Sequence, residues 1–306
     1  MPVFLTTSSI AFLVTLLFTS ISIKASYKTG FLDYPGGNPL KIHQVPTPLL
    51  GGLGILSGCL ITLLLSVIFF KEFQQEIAGL VIALLILFFT GLLDDAKGLN
   101  PFLRLFGQLS AVFIAIRIGG FSVKLIPIMP ISIAITIFYI TGATNATNLI
   151  DGLDGLAAGI TLVASMGFFT GFMTAGNSLG MLISSGLFGT SLGFLIFNFH
   201  PAKIFLGDNG STILGFLLGI LAVLYSAAPF SIKHLLFPLL ILIVPISDTF
   251  LAISRRALKH MPLFHGDRDH VYDYLVKKGL SQRQTMMIMC LFGLAGALAA
   301  NYLLTH

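Results

Sequence analysis

Charged side chains are scarce in this chain. Asp, Glu, Lys and Arg together make up only 9% of its 306 residues, whereas hydrophobic residues make up 56%. A soluble domain usually carries about 25% charged residues, and a soluble fold of this length could not bury so much apolar surface. The composition therefore excludes an ordinary soluble protein and predicts one that is solvated by lipid.

Tryptophan is absent, and there are only two cysteines. Without Trp, any aromatic belt at the membrane surface must use Tyr and Phe. Cys59 and Cys290 lie in long apolar runs without a Cys-x-x-Cys spacing, which argues against a disulfide or metal site and predicts packed or lipid-facing thiols. The basic residues are dispersed among apolar segments, so the net charge of +5 indicates membrane topology, and no nucleic-acid partner is expected.

Long apolar runs predict an all-α, polytopic integral membrane protein. A helix needs about 20 apolar residues to cross a bilayer, and ten segments come close to this length. They are residues 3–23, 49–70, 77–93, 102–118, 130–147, 156–175, 179–197, 212–227, 235–254 and 285–304. No repeat, low-complexity tract or soluble domain separates them, so residues 1–306 are predicted to form a single transmembrane domain.

The connections between these segments differ in charge. If the first connection is on the inner side, alternate connections follow it there, and that side holds thirteen of the seventeen Lys and Arg residues. This positive-inside bias predicts that both termini lie outside, in the periplasm. Lys24 is the first basic residue and follows the first apolar run, which favours a first transmembrane helix over a cleaved signal peptide.

The same parity, meaning the alternation of inner and outer connections, places all ten Asp residues on the inner side. The segments were assigned without using the acids. Many of these Asp residues stand beside Gly or another Asp and interrupt apolar sequence. A carboxylate beside lipid is costly unless it faces water, a metal or a partner. We therefore predict one cytoplasmic site that handles a metal and phosphate. Its contributing loops lie near residues 41–52, 94–104, 145–157, 198–211 and 255–284.

Two acidic segments carry most of the predicted chemistry. Asp94 and Asp95 end a predicted helix, where they form either a solvated helix end or a Mg²⁺ site, because Mg²⁺ takes one or two carboxylates plus phosphate oxygens and waters. Asp208 is flanked by Gly207 and Gly210 just before a predicted helix. Backbone N–H groups at such a helix start can bind an anion, and Asp208 could bind the cation that the anion carries.

A third segment places polar residues at every third position, namely Asn145, Asn148, Asp151 and Asp154. Each such step drifts by about 60° on a helix, so the first and last residues cannot share a face unless the glycines at 152 and 155 unwind the segment. The segment is either a polar helix end with Asn caps or the wall of a nucleotide-sugar pocket, where Gly lets a ligand approach the backbone.

Three further features have open interpretations. Phe205 either packs or stacks on a base, and Asp248 forms either a structural ion pair with Arg255 or Arg256 or a catalytic group. Arg268 and His270 in the last inner loop could meet a pyrophosphate, and the loop that contains His43 could form a wall of the same site.

Five motifs in order make the chain resemble the polyprenyl-phosphate N-acetylhexosamine-1-phosphate transferases. That superfamily includes the bacterial phospho-N-acetylmuramoyl-pentapeptide transferase and the eukaryotic dolichyl-phosphate GlcNAc-1-phosphate transferase. The motifs are His43-Gln-x-x-x-Pro-Leu-x-Gly-Gly52, Asp94-Asp95, Asn145-x-x-Asn-x-x-Asp-Gly-x-Asp-Gly-Leu-Ala157, Asn198-x-x-Pro-Ala-x-Ile-Phe-Leu-Gly-Asp-x-Gly-Ser211 and Asp267-Arg-x-His270. Together they cover nearly the whole chain, and their order on one membrane side is very specific.

The resemblance implies a reaction and its site. A sugar 1-phosphate would pass from a UDP-N-acetylhexosamine to undecaprenyl phosphate in a bacterial inner membrane, with Mg²⁺, which Mn²⁺ could replace. Asp208 would bind the metal beside Asp94 and Asp95, one of which would also deprotonate or orient the acceptor phosphate. The other implied roles are catalysis for Asp151 and His270, substrate binding for His43 and Asn148, uracil binding for Asp154 and Phe205, and diphosphate contacts for Arg104, Arg268 and His270.

The last inner loop departs from its counterparts. The peptidoglycan enzyme carries a run of histidines there, whereas this chain has Asp269, His270, Val271, Tyr272 and Asp273. This difference disfavours a MurNAc-pentapeptide substrate. Bacterial GlcNAc-1-phosphate enzymes often place further histidines just after the position of His270, where this chain has Tyr272 and Asp273. The identity of the sugar therefore stays open, and a modified N-acetylhexosamine for O-antigen or capsule assembly is one interpretation. The resemblance also implies a homodimer, while direct displacement and an aspartyl intermediate both stay open.

Two other function classes fit the sequence less well. A transporter or flippase would place acids near the middle of the membrane and contain an internal repeat, whereas the acids here cluster at predicted helix ends. A CDP-alcohol phosphotransferase would need Asp-Gly-x-x-Ala-Arg followed by Gly-x-x-x-Asp-x-x-x-Asp, and that pattern is absent.

Overall fold

Apolar runs of about 20 residues form helices because lipid leaves their backbone polar groups no partners except one another. In the computed structural model, residues 1–36, 43–123, 128–227, 232–261 and 269–305 are described. The helices are α1 (Pro2–Thr29), α2 (Gly51–Phe69), α3 (Gln74–Lys97), α4 (Pro101–Arg117), α5 (Met129–Leu149), α6 (Leu156–Ala175), α7 (Ser178–Asn198), α8 (Asp208–Ser226), α9 (Ile232–Ile241), α10 (Ile243–Leu258), α11 (Val271–Lys277) and α12 (Gln282–Thr305). The predicted all-α membrane class is confirmed.

The predicted count of about ten spans is slightly high. Eight helices in the described residues are long and apolar enough to cross a membrane, or nine if α9 and α10 together form one span. α4 has 17 residues, about 26 Å of helix, which is a little shorter than the hydrocarbon core of about 30 Å. The predicted span 235–254 is broken, because α9 and α10 meet at a bend of 80°. The predicted orientation of the termini stays a prediction.

Helix α8 lies at the centre of the molecule. Of its 19 residues, 17 are buried, and it packs against α2, α3, α5, α6, α7 and α9. Two glycines let neighbouring helices approach its first turn. A Cβ atom on Gly91 of α3 would lie 2.5 Å from the Asn209 backbone, and one on Gly52 of α2 would lie 1.8 Å from Oδ1 of Asn209. The start of α8 is therefore fixed by close backbone packing.

A short pair of β-strands lies near the start of α8. β1 (Leu32–Asp33) and β2 (Thr47–Pro48) pair antiparallel, with Leu32 opposite Pro48 and Asp33 opposite Thr47. The amide N–H of Phe205 donates to the carbonyl of Pro48 over 2.8 Å. This bond ties the α1–α2 connection to the α7–α8 connection, so two distant parts of the chain face each other beside the first turn of α8.

Candidate active site

A cavity of about 630 Å³ lies beside the start of α8, among loops that connect the membrane helices. This volume is within the usual range of small-molecule sites. The residues that line it come from the α1–α2, α5–α6 and α7–α8 connections, from the end of α3 and from the start of α12. Seven of the predicted site residues line it, namely His43, Asp95, Asn148, Asp151, Asp154, Phe205 and Asp208. The inner segments that the sequence grouped by parity thus meet in one place.

Asp208, at the first position of α8, is held by two side chains. Its Oδ1 accepts a hydrogen bond from Nδ2 of Asn148 at 2.8 Å, and its Oδ2 lies 3.1 Å from Nη1 of Arg104. The same Arg104 nitrogen lies 3.2 Å from Oδ2 of Asp94, whose Oδ1 accepts from the amide of Leu99. Arg104 therefore bridges two carboxylates that would otherwise repel each other. Asp94 and Arg104 line a smaller adjoining cleft and do not line the main cavity.

Asp95 binds the first turn of α8. Its carboxylate accepts from the amide of Asp208 at 3.0 Å, from the amide of Asn209 at 3.1 Å and from the Asn209 side chain. The first amides of a helix have no partner within the helix, and the helix dipole favours a negative charge beside them. Asp95 therefore has a clear structural role in placing Asp208, and its predicted metal and catalytic roles stay predictions.

Asp95→Ala is expected to lower the free energy of unfolding by about 3 kcal/mol, because it removes several charge-assisted hydrogen bonds at once. Thermal unfolding of the detergent-solubilised protein measures the effect. Asp95→Asn is the matched control, since it keeps one acceptor oxygen and should lose less stability. Equal stability of Asp95→Ala and the unchanged protein would contradict this role.

Asp151 stands in the turn between α5 and α6 and faces the cavity. Among the described residues its carboxylate has no hydrogen bond or ion pair. Burial and the negative charges of nearby carboxylates raise the pKa of Asp151 well above its usual range. Those neighbours, in order of effect, are Asp208, Asp95 and Asp154. A cation in the cavity would relieve this accumulation of negative charge.

The donor set fits Mg²⁺ better than a metal with several side-chain ligands. In the parts of the chain that the structure describes, no three His, Cys, Asp or Glu side chains are grouped so that they could hold a metal ion. Mg²⁺ commonly uses one or two carboxylates, with waters and substrate phosphates as its other ligands. Asp208 and Asp151 are the carboxylates in the cavity that could serve in this way.

The second half of the α5–α6 turn is held by two motif residues, Asn198 and Ala202, and by His200, which the sequence analysis did not single out. Asp154 Oδ2 accepts from the amide of Ala202 at 3.1 Å and lies 2.7 Å from Nδ1 of His200. Asn198 accepts from the amide of Gly155 at 3.0 Å. His200 lines the cavity and stands at an unassigned position of the motif from 198 to 211. Its place inside that motif, next to Pro201, is the signal in the sequence that could have identified it as a site residue.

Asn145 lines the smaller cleft together with Asn148 but does not line the main cavity. Its amide pairs in both directions with the amide of Gln108 on α4, at 2.7 and 3.3 Å. α5 ends at Leu149, and Gly155 has a left-handed φ of 74°, so the segment leaves the helix before Asp151. The segment is therefore unwound, but the helix ends before both glycines of the segment, and of these two only Gly155 has a positive φ.

His43 and Phe205 form one wall of the cavity. Their rings meet edge to face, with centroids 5.1 Å apart and an interplanar angle of 72°. Within the described ranges, Nε2 of His43 is buried without a hydrogen-bond partner, and it lies 3.7 Å from Oδ2 of Asp33. The two rings could present an apolar surface and a polar nitrogen to a ligand, and their substrate-binding roles stay predictions.

His270 is buried and does not line the cavity. The structure leaves it only 5% exposed, and its Nδ1 is 2.7 Å from Oδ2 of the buried Asp248. The sequence predicted Arg255 or Arg256 as the partner of Asp248, whereas the structure places His270 there. The catalytic role of His270 stays a prediction. Arg268 lies outside the described residues.

Comparison with known proteins places the chain in a family. The model of the family described as glycosyl transferase family 4 matches residues 77–226. The chain is also 32% identical over 299 residues to a probable undecaprenyl-phosphate N-acetylglucosaminyl 1-phosphate transferase of Bacillus subtilis, covering 95% of this chain and 82% of that protein. The chain belongs to glycosyl transferase family 4. Its place among the polyprenyl-phosphate sugar-phosphate transferases, which the motifs predicted, is confirmed.

Two further relatives show the range of this family. A decaprenyl-phosphate N-acetylglucosaminephosphotransferase of Mycobacterium tuberculosis is 30% identical over 320 residues, covering 90% of this chain and 77% of that protein. A phospho-N-acetylmuramoyl-pentapeptide-transferase of Halalkalibacterium halodurans is 32% identical over 333 residues, covering 98% and 97%. The family therefore includes members that use different sugars, and overall identity does not separate them.

Proposed function

We propose that this protein transfers an N-acetylhexosamine 1-phosphate from a UDP-sugar to undecaprenyl phosphate, in the bacterial inner membrane with the site facing the cytoplasm. The product would initiate a cell-envelope polysaccharide such as O-antigen, capsule or a teichoic acid linkage. The observation that carries the proposal is the cavity where Asp208, Asp151 and Asn148 meet from distant parts of the chain. The relatives named for polyprenyl-phosphate sugar transfer support it.

The proposed chemistry balances as one phosphoryl transfer. An oxygen of the lipid phosphate forms a bond to the phosphorus that carries the sugar, and the bond from that phosphorus to the UMP oxygen breaks. The products are undecaprenyl-diphosphate-sugar and UMP. Such transfers depend mainly on positioning and charge neutralisation, and the carboxylates, amides and Arg104 found in the described part of the site are groups that can supply both.

The charge distribution assigns roles to the residues. Asp208 and Asp151 would hold Mg²⁺, which would neutralise charge on the diphosphate. Asn148 fixes the Asp208 carboxylate, and Arg104 offers the remaining guanidinium N–H groups to a phosphate. Because the Arg104 side chain is 42% exposed and opens onto the smaller cleft, it is suited to the phosphate of the lipid acceptor.

A UDP-sugar panel tests the proposal. Purified protein should release UMP from at least one UDP-N-acetylhexosamine, only when undecaprenyl phosphate is present, and chelation of divalent metal by EDTA should stop the release until Mg²⁺ is restored. Mn²⁺ should restore part of it. Absence of UMP with every sugar in the panel would refute the transferase. Movement of a lipid-linked sugar across vesicles without UMP would favour a flippase instead.

A further inference from the structure

Gly152 directly follows Asp151, and one aromatic side chain occupies the space beside it. A Cβ atom on Gly152 would lie 2.1 Å from the hydroxyl oxygen of Tyr272 and 2.8 Å from its Cζ. The same hydroxyl donates a hydrogen bond of 3.4 Å to the carbonyl of Leu149. Tyr272 therefore contacts the turn on both sides of Asp151.

Tyr272 is buried and packs against His270. It is 5% exposed, and its ring stacks on the His270 ring with centroids 5.3 Å apart and planes within 2° of parallel. His270 lies 2.7 Å from Asp248, whose other carboxylate oxygen accepts from the amide of Val271 at 2.8 Å. α10 thus anchors the start of α11 through Asp248, and α11 presents the Tyr272 hydroxyl to the α5–α6 turn.

This arrangement completes the support of the turn. Asn198 and the Asp154–His200 pair hold its second half, whereas Tyr272 contacts its first half, where Asp151 faces the cavity. A side chain whose backbone is fixed on both sides keeps its reactive atoms in place. Misplacement of a reacting group by about 1 Å can cost roughly 100-fold in rate.

We propose that Tyr272 is a positioning residue that fixes the Asp151 turn through Leu149 and Gly152, with the buried Asp248–His270 pair as its anchor. This inference rests on the proposed function, because it concerns the rate of that transfer. It also gives a physical role to the departure in the last inner loop, where Tyr272 stands in a segment that is histidine-rich in the peptidoglycan enzyme.

Kinetics of two variants test the role. Tyr272→Phe removes the hydroxyl and should lower kcat about 5-fold to 20-fold while KM for the UDP-sugar changes less than about 2-fold, because the turn loosens without losing substrate contacts. Tyr272→Ala should lower kcat further. Tyr274→Phe is the matched control on the same helix, since Tyr274 is 58% exposed, and it should leave both constants unchanged. Wild-type kcat in Tyr272→Phe would overturn the proposal.

A double-mutant cycle tests the contact without an activity assay. Gly152 does not have a positive φ, so Gly152→Ala should destabilise the protein mainly because its Cβ clashes with Tyr272. Gly152→Ala should lower Tm several-fold more when it is introduced into the unchanged protein than when it is introduced into Tyr272→Ala. Additive losses of Tm would overturn the contact. Because Tm is measured without substrate, a failure of the proposed transferase activity would be seen separately, as absent UMP release in the unchanged protein.

Discussion

Asp208→Ala is expected to lower kcat for UMP release by at least about 1000-fold, comparable to the loss of a main electrostatic group in an active site. The side chain is the meeting point of Asn148 and Arg104 and stands at the first position of α8, facing the cavity. Its removal takes away a proposed metal ligand and leaves the Arg104 charge paired with Asp94 alone. The assay is UMP release by purified protein with saturating undecaprenyl phosphate.

Asp269→Ala is the matched control for that variant. Asp269 lies on the same predicted side of the membrane and is also close to cations, because Lys277 lies 2.9 Å away and the pKa of Asp269 is lowered mainly by that contact. It is 44% exposed and does not line the cavity, so its replacement should leave kcat within about 2-fold, as expected for an exposed ion pair. Full activity of Asp208→Ala would refute the proposed metal role.

Gly91→Ala is expected to lower kcat about 100-fold and to reduce Tm, although Gly91 touches no substrate. Its added Cβ would lie 2.5 Å from the N and Cα atoms of Asn209 and 2.6 Å from the carbonyl carbon of Asp208. These are backbone atoms, so the contact cannot be relieved by a rotamer change, and α3 and α8 must move apart. That movement would stretch the bonds from Asp95 to the first turn of α8 and displace Asp208.

Gly142→Ala provides the comparison. Gly142 is also inside a membrane helix, but its added Cβ would meet no atom within 4 Å. Kinetics and thermal unfolding of both variants in the same detergent should therefore show a loss only for Gly91→Ala. Equal behaviour of the two variants would mean that close packing at α8 does not control the site.

The helices were predictable because lipid leaves little choice to an apolar run. All ten predicted segments contain helix in the structure, and the family was recognisable from motifs in their correct order. The predicted and observed spans differ where the length and apolarity of a segment do not decide whether it crosses the membrane as one straight helix. α4 is a little shorter than the hydrocarbon core, and the bend between α9 and α10 falls where Pro245 has no N–H to bond the carbonyl of Ile241, which a hydropathy pattern does not register.

The site was predictable as a set of residues but not as a set of contacts. Parity gathered the ten Asp residues on one side, and five of them line the cavity. The pattern did not distinguish Asp95, which binds the amides of α8, from Asp151, which has no partner among the described residues. Nor did it separate His270, buried against Asp248, from His200, which lines the cavity.

The sequence by itself determined the solvent, the helices and the chemical type of the site, because these follow from local composition and from the cost of placing charge in lipid. Only the tertiary structure decided which carboxylates bind backbone amides and which have no partner among the described residues. The physical reason is that a hydrogen-bond partner can come from any distance along the chain. Asp95 finds its amide donors more than one hundred residues away, and no local pattern encodes that meeting.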